Sequence, residues 1–397
     1  MILSWVGVLI LSIFFQFLLL RPSARDAAAI FLLCIYHFMY VFLFYGLTVN
    51  DITDSSNYYN WASDGWFGGY FGTGFVVSLI QLIQWFGVDG YFLMMLLFAA
   101  LSAFGVSAFY VASLHSLKRV APSDYLRGLL FLGLLIPGLH FWTAPIGKDS
   151  LILFSYGLMA LSVSRVKGAL YFLFGLMLVF LVRPHVGFCI LMVFAAYKYF
   201  ASSSHASAGL RLVYRLALIV GAVFFIFIFY GFILDYLQKY SVAGFDGLAD
   251  FVSSRQDIYS DTGSGLSIAS VPYIARYVLF FLGGIPWAVG GVFQLFSLIE
   301  GVVFLLLLFF AIRSLLALRA KSIFINDIVF HNNIRLVLCL ILFVLLLSAL
   351  LSYGSGNLGL MVRQRVMIYL PLLLSFLLAK AVSSRLDTLQ AYREGQR

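Results

Sequence analysis

Five basic residues lie beside apolar segments of the chain, where a positive charge needs a partner or water. They are Lys148, Arg183, Arg276, Arg363 and Arg365. A basic side chain near hydrocarbon is costly, so it marks a functional site by default. Arginine also binds phosphate oxygens through paired hydrogen bonds. The five residues therefore predict a site for a membrane anion with an apolar tail, such as a polyprenyl phosphate or pyrophosphate. The alternative for each is contact with lipid headgroups or pairing with an acid such as Asp149.

A second group combines carboxylates with aromatic rings in the segment 50–70. Asp51 and Asp54 precede Tyr58, Tyr59 and Trp61. Carboxylates accept hydrogen bonds from sugar hydroxyls, and aromatic rings pack against the C–H faces of sugars. The segment therefore predicts a glycan-binding or catalytic surface. The alternative for its rings is an aromatic belt at the membrane interface.

A transfer reaction at such a site needs a general base. Asp54, His185 and Asp51 are the candidates, in that order, and a structural hydrogen bond is the alternative for His185. No carboxylate pair with the spacing of a divalent-metal site stands out, so neither a metal nor another cofactor is expected. Glu300 lies deep in an apolar run and is expected to pair with a basic residue such as Arg276.

The elements that must position these residues are membrane helices. Of 397 residues, 63% are apolar and 10% are charged, whereas a soluble protein has about 45–50% and about 25%. This excess cannot be buried in a globular core, so a soluble enzyme is excluded. At about 20 residues per span, the sequence predicts an all-α, polytopic protein with about eleven transmembrane helices. They are expected at about 2–20, 27–48, 91–113, 128–143, 149–164, 169–183, 186–201, 213–235, 295–317, 336–353 and 366–382.

The distribution of basic residues predicts an orientation. Most of the 25 Lys and Arg fall in one set of loops, which places those loops in the cytoplasm. The N-terminus is then periplasmic and the C-terminus cytoplasmic. Two external segments, about 49–90 and 236–294, are expected to carry interfacial helices at 72–88 and 272–292; two extra spans are the alternative. Residues 1–397 are predicted to form a single transmembrane domain.

In layout the chain resembles the Wzy-type oligosaccharide repeat-unit polymerases, which are polytopic bacterial polymerases of O-antigen and exopolysaccharide. The resemblance rests on the order of short motifs: Asp54–Tyr58, Pro145–Asp149, Arg183–His185, Pro286 and Trp287 before Glu300, and Asn357–Arg365. It implies a metal-independent, GT-C-like glycosyltransferase in the bacterial inner membrane, with its active site at the periplasmic face.

The resemblance also implies substrates and partners. The donor is a growing glycan on undecaprenyl pyrophosphate, the acceptor is a lipid-linked repeat unit, and membrane lipid surrounds both. A flippase and a chain-length regulator of the same pathway are implied partners, and nucleic acid is not. Three other functions stay open: another GT-C glycosyltransferase or an O-antigen ligase using a polyprenyl-linked donor, a flippase or transporter for lipid-linked sugars, and a non-catalytic partner of a synthase. Transporters usually contain internal repeats, and this sequence shows none.

Metal independence has a direct test. Transferase activity of the purified protein should be the same with and without EDTA, because the basic side chains supply the charge stabilisation that a metal would otherwise provide. Activity abolished by EDTA and restored by magnesium would contradict this prediction.

Overall fold

The computed structural model describes residues 1–66, 68–162, 168–202, 268, 271–284, 292–321, 328–355 and 357–394. The regular elements in these ranges are all α-helices, which confirms the predicted all-α class for this part of the chain. The predicted span 213–235 and most of the predicted external segment 236–294 lie outside the described residues.

The described ranges contain fifteen helices. They are α1 (Ile2–Leu20), α2 (Ala24–Thr48), α3 (Asp54–Ser63), α4 (Thr73–Trp85), α5 (Tyr91–Val120), α6 (Asp124–Gly133), α7 (Pro137–Thr143), α8 (Lys148–Leu161), α9 (Gly168–Val182), α10 (Pro184–Ser202), α11 (Tyr273–Leu282), α12 (Val292–Lys321), α13 (Ile328–Gly354), α14 (Leu358–Gln364) and α15 (Val366–Glu394).

Six of these helices are long and apolar enough to cross a membrane, namely α1, α2, α5, α12, α13 and α15. A seventh candidate is the pair α6–α7, which bends by 50° at its break. The prediction of a multi-pass membrane protein is confirmed, with six or seven candidate spans among the described residues. The predicted spans 149–164 and 169–183 correspond to α8 and α9, which have 14 and 15 residues. Helices of that length rise about 21–23 Å, less than the hydrocarbon thickness of about 30 Å. The count of eleven stays a prediction.

The chain forms two compact units. Unit 1 contains Met1–Gly187 together with Ser384–Arg397, and unit 2 contains Phe188–Ser383. Whether they work as the single domain predicted from the sequence stays a prediction. In unit 1 the long helix α5 packs against α1, α2, α6 and α8. At 30 residues it is about 45 Å long, which exceeds the hydrocarbon thickness of about 30 Å by nearly three turns.

Helices α5 and α8 approach each other closely because both carry glycine at the crossing. A Cβ on Gly105 would collide with the backbone of Leu153, and a Cβ on Gly157 would collide with the backbone of Gly105. Small residues at such crossings let membrane helices pack backbone to backbone. The crossing positions the start of α8, where Lys148 and Asp149 lie.

Several charged residues of unit 1 form a cluster at the C-terminal end of α5. Arg25 contacts Asp124 at 2.9 Å, and Asp26 lies 3.8 Å from Lys118 and 3.7 Å from Arg127. These residues come from loops that the sequence assigned to one side of the membrane, and in the structure they meet. Which side of the membrane this end faces stays a prediction.

In unit 2, α11 packs against α12, α13 and α14. It ends at Gly283, whose φ of 69° is a left-handed conformation that glycine adopts without strain. With ten residues, α11 rises about 15 Å, and α4 with 13 rises about 20 Å. Both helices are shorter than a span, and their interfacial location stays a prediction.

The glycine crossing can be tested by adding a single methyl group. Gly105→Ala should lower the free energy of unfolding by about 1–3 kcal/mol, because the methyl group forces the two backbones apart. Gly46→Ala in α2 is the matched control, since a Cβ there meets nothing within 4 Å and alanine favours the helix. Unfolding of both variants in detergent micelles measures the difference; equal stabilities would refute the proposed close crossing.

Candidate functional site

Four site residues of unit 1 meet where α8 begins and α9 passes into α10. We call Lys148, Asp149, Arg183 and His185 the Lys148 cluster. Helices α8 and α9 are neighbours along their lengths, so the first turn of α8 lies beside the last turn of α9. Pro184 then starts α10, since proline suits the first turn of a helix. The boundary between α9 and α10 therefore falls at Arg183 and Pro184, beside His185.

The cluster is organised by one buried ion pair. Nη2 of Arg183 donates to Oδ1 of Asp149 over 2.9 Å, and the two side chains are 11% and 1% exposed. This is the pairing that the sequence offered as the alternative for Arg183. A buried carboxylate needs such a partner, because desolvation of an unpaired charge costs several kcal/mol. Asp149 thus holds the Arg183 guanidinium in place, and Arg183 Nε is buried without a hydrogen-bond partner.

His185 lies in the electrostatic field of the two basic residues. Burial and then the positive charges of Arg183 and Lys148 lower the pKa of His185 to about 3. The imidazole is therefore neutral at physiological pH and can accept a proton. The role of general base predicted for His185 stays a prediction.

A glycine-rich loop before α4 lies against this cluster. The N–H of Gly72 donates to the carbonyl of Leu181 at the end of α9, over 2.7 Å. A Cβ on Gly72 would be 3.9 Å from Nζ of Lys148, and its φ of 62° favours glycine. The segment 50–70, which carries the acidic and aromatic residues, is thereby connected to a loop that lies beside Lys148. The run of glycines in 68–74 is the sequence signal for such a close backbone approach.

The predicted carboxylates lie at the start of α3. Asp51 and Asp54 are both exposed, and Asp54 is the first residue of α3, where a negative charge interacts favourably with the helix dipole. Thr53 caps the helix by accepting the N–H of Ser56. Asp54 is thus held on a capped helix end.

The three predicted glycan-binding rings differ in their surroundings. Tyr58 is buried, whereas Trp61 is 38% exposed and packs 5.2 Å from the ring of Trp66. The hydroxyl of Tyr59 donates to Asp89 over 2.6 Å and accepts the N–H of Gly90 over 3.1 Å. Tyr59 therefore ties α3 to the start of α5. The exposed Trp61 and Trp66 rings are the faces that a sugar can reach.

The remaining basic candidates belong to unit 2. Arg276 lies on α11, with Nε and Nη1 buried and without a hydrogen-bond partner, and Arg363 lies in the last turn of α14. The structure thus brings Lys148, Arg183 and His185 together within unit 1. Convergence of all five basic residues at one anion site stays a prediction.

Arg365 is the most buried of the five, at 1% exposed. Its guanidinium donates to the carbonyl of Phe281 at 3.2 Å, and to the carbonyl and hydroxyl of Ser297 at 3.1 and 2.8 Å. It interacts electrostatically with Glu300, whose expected partner was Arg276. These contacts give Arg365 a structural role in unit 2, and phosphate binding by this residue stays a prediction.

No group of three or more His, Cys, Asp or Glu residues suited to a metal ion occurs in the part of the chain that the structure describes.

The buried ion pair has a matched exposed counterpart in the same unit. Arg183→Ala should destabilise the protein by about 3–5 kcal/mol, because it leaves Asp149 buried and unpaired. Arg25→Ala removes a pair of the same 2.9 Å length whose side chains are 65% and 71% exposed, and should cost less than about 1 kcal/mol. Chemical unfolding of both variants in micelles measures the contrast. Similar losses would show that Asp149 does not depend on Arg183.

Comparison of the chain with family models, with curated proteins and with solved structures finds no match. The chain is shown to be an all-helical, multi-pass membrane protein with six or seven candidate spans among its described residues.

Proposed function

We propose that the protein is a polysaccharide polymerase that joins polyprenyl-pyrophosphate-linked oligosaccharide repeat units at the periplasmic face of the bacterial inner membrane. The observation that carries the proposal is the Lys148 cluster, in which two cations and a neutral imidazole meet beside the loop of Gly72. This arrangement offers charge for a phosphate group and a proton acceptor for a hydroxyl group. The proposal rests on unit 1 alone.

The chemistry assigns a task to each group. The bond between the anomeric carbon of the donor glycan and the pyrophosphate oxygen breaks, and a hydroxyl oxygen of the acceptor forms the new bond to that carbon. Negative charge grows on the departing pyrophosphate, and Lys148 and Arg183 stabilise it. Preorganised charge of this kind is usually the largest catalytic contribution. Pyrophosphate needs little protonation to leave, so the second task is to remove the hydroxyl proton.

Asp54 and His185 are the groups proposed to take that proton, with Asp51 as the next candidate. His185 is neutral, but a pKa of about 3 makes it a weak base in the empty site. A pyrophosphate bound at Lys148 and Arg183 offsets their charges, which raises the pKa of His185 toward the range of an effective base. The base thus becomes stronger when the donor is bound.

The external segment is proposed to hold the glycan. Trp61 on α3 and Trp66, three residues after that helix, present exposed rings, and α3 also carries Asp54. An aromatic face and a carboxylate on one short helix suit a sugar with an apolar face and polar hydroxyls. The apolar tail of the substrate would remain in the bilayer, since the candidate spans provide a lipid-facing surface.

The proposal is tested with purified protein in nanodiscs, given a single lipid-linked repeat unit. A ladder of product lengths is the expected result. Lys148→Ala should lower the rate by about 10²–10³-fold, as loss of one charge-stabilising donor does. Lys118→Ala is the matched control, because Lys118 belongs to the charged cluster at the C-terminal end of α5 and its side chain is 47% exposed. The polymerisation rate of this variant should be unchanged.

Other outcomes would contradict specific parts of the proposal. A single added sugar indicates a transferase or ligase, and movement of the lipid-linked sugar across the bilayer without bond formation indicates a flippase. Equal rates for the two lysine variants would show that the Lys148 cluster is not the phosphate site. Asp54→Asn and Asp64→Asn form a second matched pair in the external segment, and only the first should slow the reaction.

A further inference from the structure

Two histidines and a serine form a buried chain of hydrogen bonds between α2, α5 and α7. Nδ1 of His37 lies 2.8 Å from Nδ1 of His140, and Nε2 of His37 lies 2.8 Å from Oγ of Ser102. On the far side, Nε2 of His140 lies 2.6 Å from the carbonyl oxygen of Leu134. All three side chains are 0% exposed. The glycosyl transfer proposed above uses none of them.

The carbonyl of Leu134 determines where the protons lie. A carbonyl oxygen only accepts, so Nε2 of His140 must carry a hydrogen. In its neutral form His140 then has a lone pair on Nδ1. Two lone pairs cannot face each other at 2.8 Å, and therefore Nδ1 of His37 carries a hydrogen and donates it to His140.

The Ser102 hydroxyl can form a hydrogen bond with Nε2 of His37 whether His37 is neutral or protonated. When His37 is neutral, its Nε2 is an acceptor and the Ser102 hydroxyl donates to it. When His37 gains a proton, Nε2 becomes a donor to Ser102 Oγ. The hydroxyl hydrogen then turns to the carbonyl of Phe98 at 3.0 Å or of Ala99 at 3.2 Å. Both states leave every polar atom of the chain bonded, as buried groups require.

We infer that His37 and His140 form a proton-binding site inside unit 1, in which the pair holds one added proton and Ser102 adapts to it. A second proton is excluded, because both Nδ1 atoms would then carry hydrogens that point at each other. The site lies within α2, α5 and the bent pair α6–α7, which are all candidate membrane spans. Ionisable groups at such depth are costly and commonly serve proton transfer.

The groups around the pair suit a shared positive charge. The rings of Tyr36 and Tyr40 on α2 lie 4.7 and 5.7 Å from the His140 ring, and aromatic faces attract cations. Their hydroxyls bond to each other, and that of Tyr36 also to the Leu135 carbonyl. These bonds link the two tyrosines to each other and to the backbone.

Among the described residues, few charged groups lie on the helices packed around His37 and His140. Helix α5 contributes Ser102, and α1 meets α2 through Ser12 and Gln16, which contact Cys34. The next helix, α8, begins with Lys148 and Asp149, and Asp149 is paired with Arg183. In the described part of the chain, the titratable side chain in direct contact with His37 is His140.

The same three residues resemble a hydrolytic triad in their order of hydrogen bonds, with His140 in the place of the acid. Ser102 is 0% exposed in the middle of α5, which excludes attack on an external substrate. Proton binding is the chemistry that a fully enclosed chain can perform, since a proton moves along hydrogen bonds without a cavity.

Nitrogen-15 NMR of histidine in the full-length protein in nanodiscs tests the inference. At alkaline pH we expect the His37 ring to carry hydrogen on Nδ1 and the His140 ring to carry it on Nε2. A scalar coupling should join the two Nδ1 nuclei of this pair. On acidification one added proton should enter the pair while the fold is intact. His37→Asn should abolish the coupling and assign the signals.

Ser102→Ala provides a second measurement that does not remove either ring. Proton affinity of the pair should fall about tenfold, because a hydrogen bond to a charged donor is worth more than one to a neutral acceptor. Ser107→Ala is the matched control, since Ser107 is equally buried on α5 but its hydroxyl bonds to no partner. Two rings that both carry hydrogen on Nε2, no proton uptake before unfolding, or equal affinities for the two serine variants would each overturn the inference.

Discussion

The ion pair between Arg183 and Asp149 is the interaction on which the candidate site depends. It joins the start of α8 to the end of α9 at a point where the carboxylate is almost fully buried. Either charge alone would destabilise the fold. The free-energy cost of desolvating one buried ion exceeds the stabilisation that most single contacts provide. With the pair in place, the guanidinium is fixed beside Lys148 and His185, and the cluster keeps a net positive charge. That net charge is what makes an anionic, lipid-linked substrate chemically reasonable.

Arg365 in unit 2 shows how differently the same side chain can be used. Its donors are directed at backbone carbonyls and a serine hydroxyl near the end of α11, and its Cζ atom lies 5.2 Å from the centre of the Phe304 ring. Glycine at position 283 is needed there, since a Cβ would collide with the guanidinium. Arg365 therefore holds helix ends together inside unit 2. Arg183 holds two helix ends together as well, but it does so beside Lys148 and His185.

The ion pair and the two histidines are both buried in unit 1 and bonded to specific partners, but in different ways. The ion pair cancels charge against charge, whereas the histidines pass hydrogens along a chain that ends on a carbonyl. The helix that carries Ser102, α5, and the helix that carries Asp149, α8, meet backbone to backbone at Gly105 and Gly157.

The amino-acid sequence by itself determined that the chain is helical and membrane-bound, because hydrophobicity and helix length are local properties. It also singled out Lys148, Arg183 and His185, since charges beside apolar runs are visible without any coordinates. Pairing of Arg183 with Asp149 was open in the sequence, as 34 residues separate them and an acid could have paired with any nearby base. The tertiary structure decided that pairing, as well as the internal use of Arg365 and of the Tyr59 hydroxyl. It alone revealed the contact of His37 with Ser102 and His140, which are 65 and 103 residues away. Such contacts depend on which faces of distant helices meet, and helix packing sets that over the whole unit.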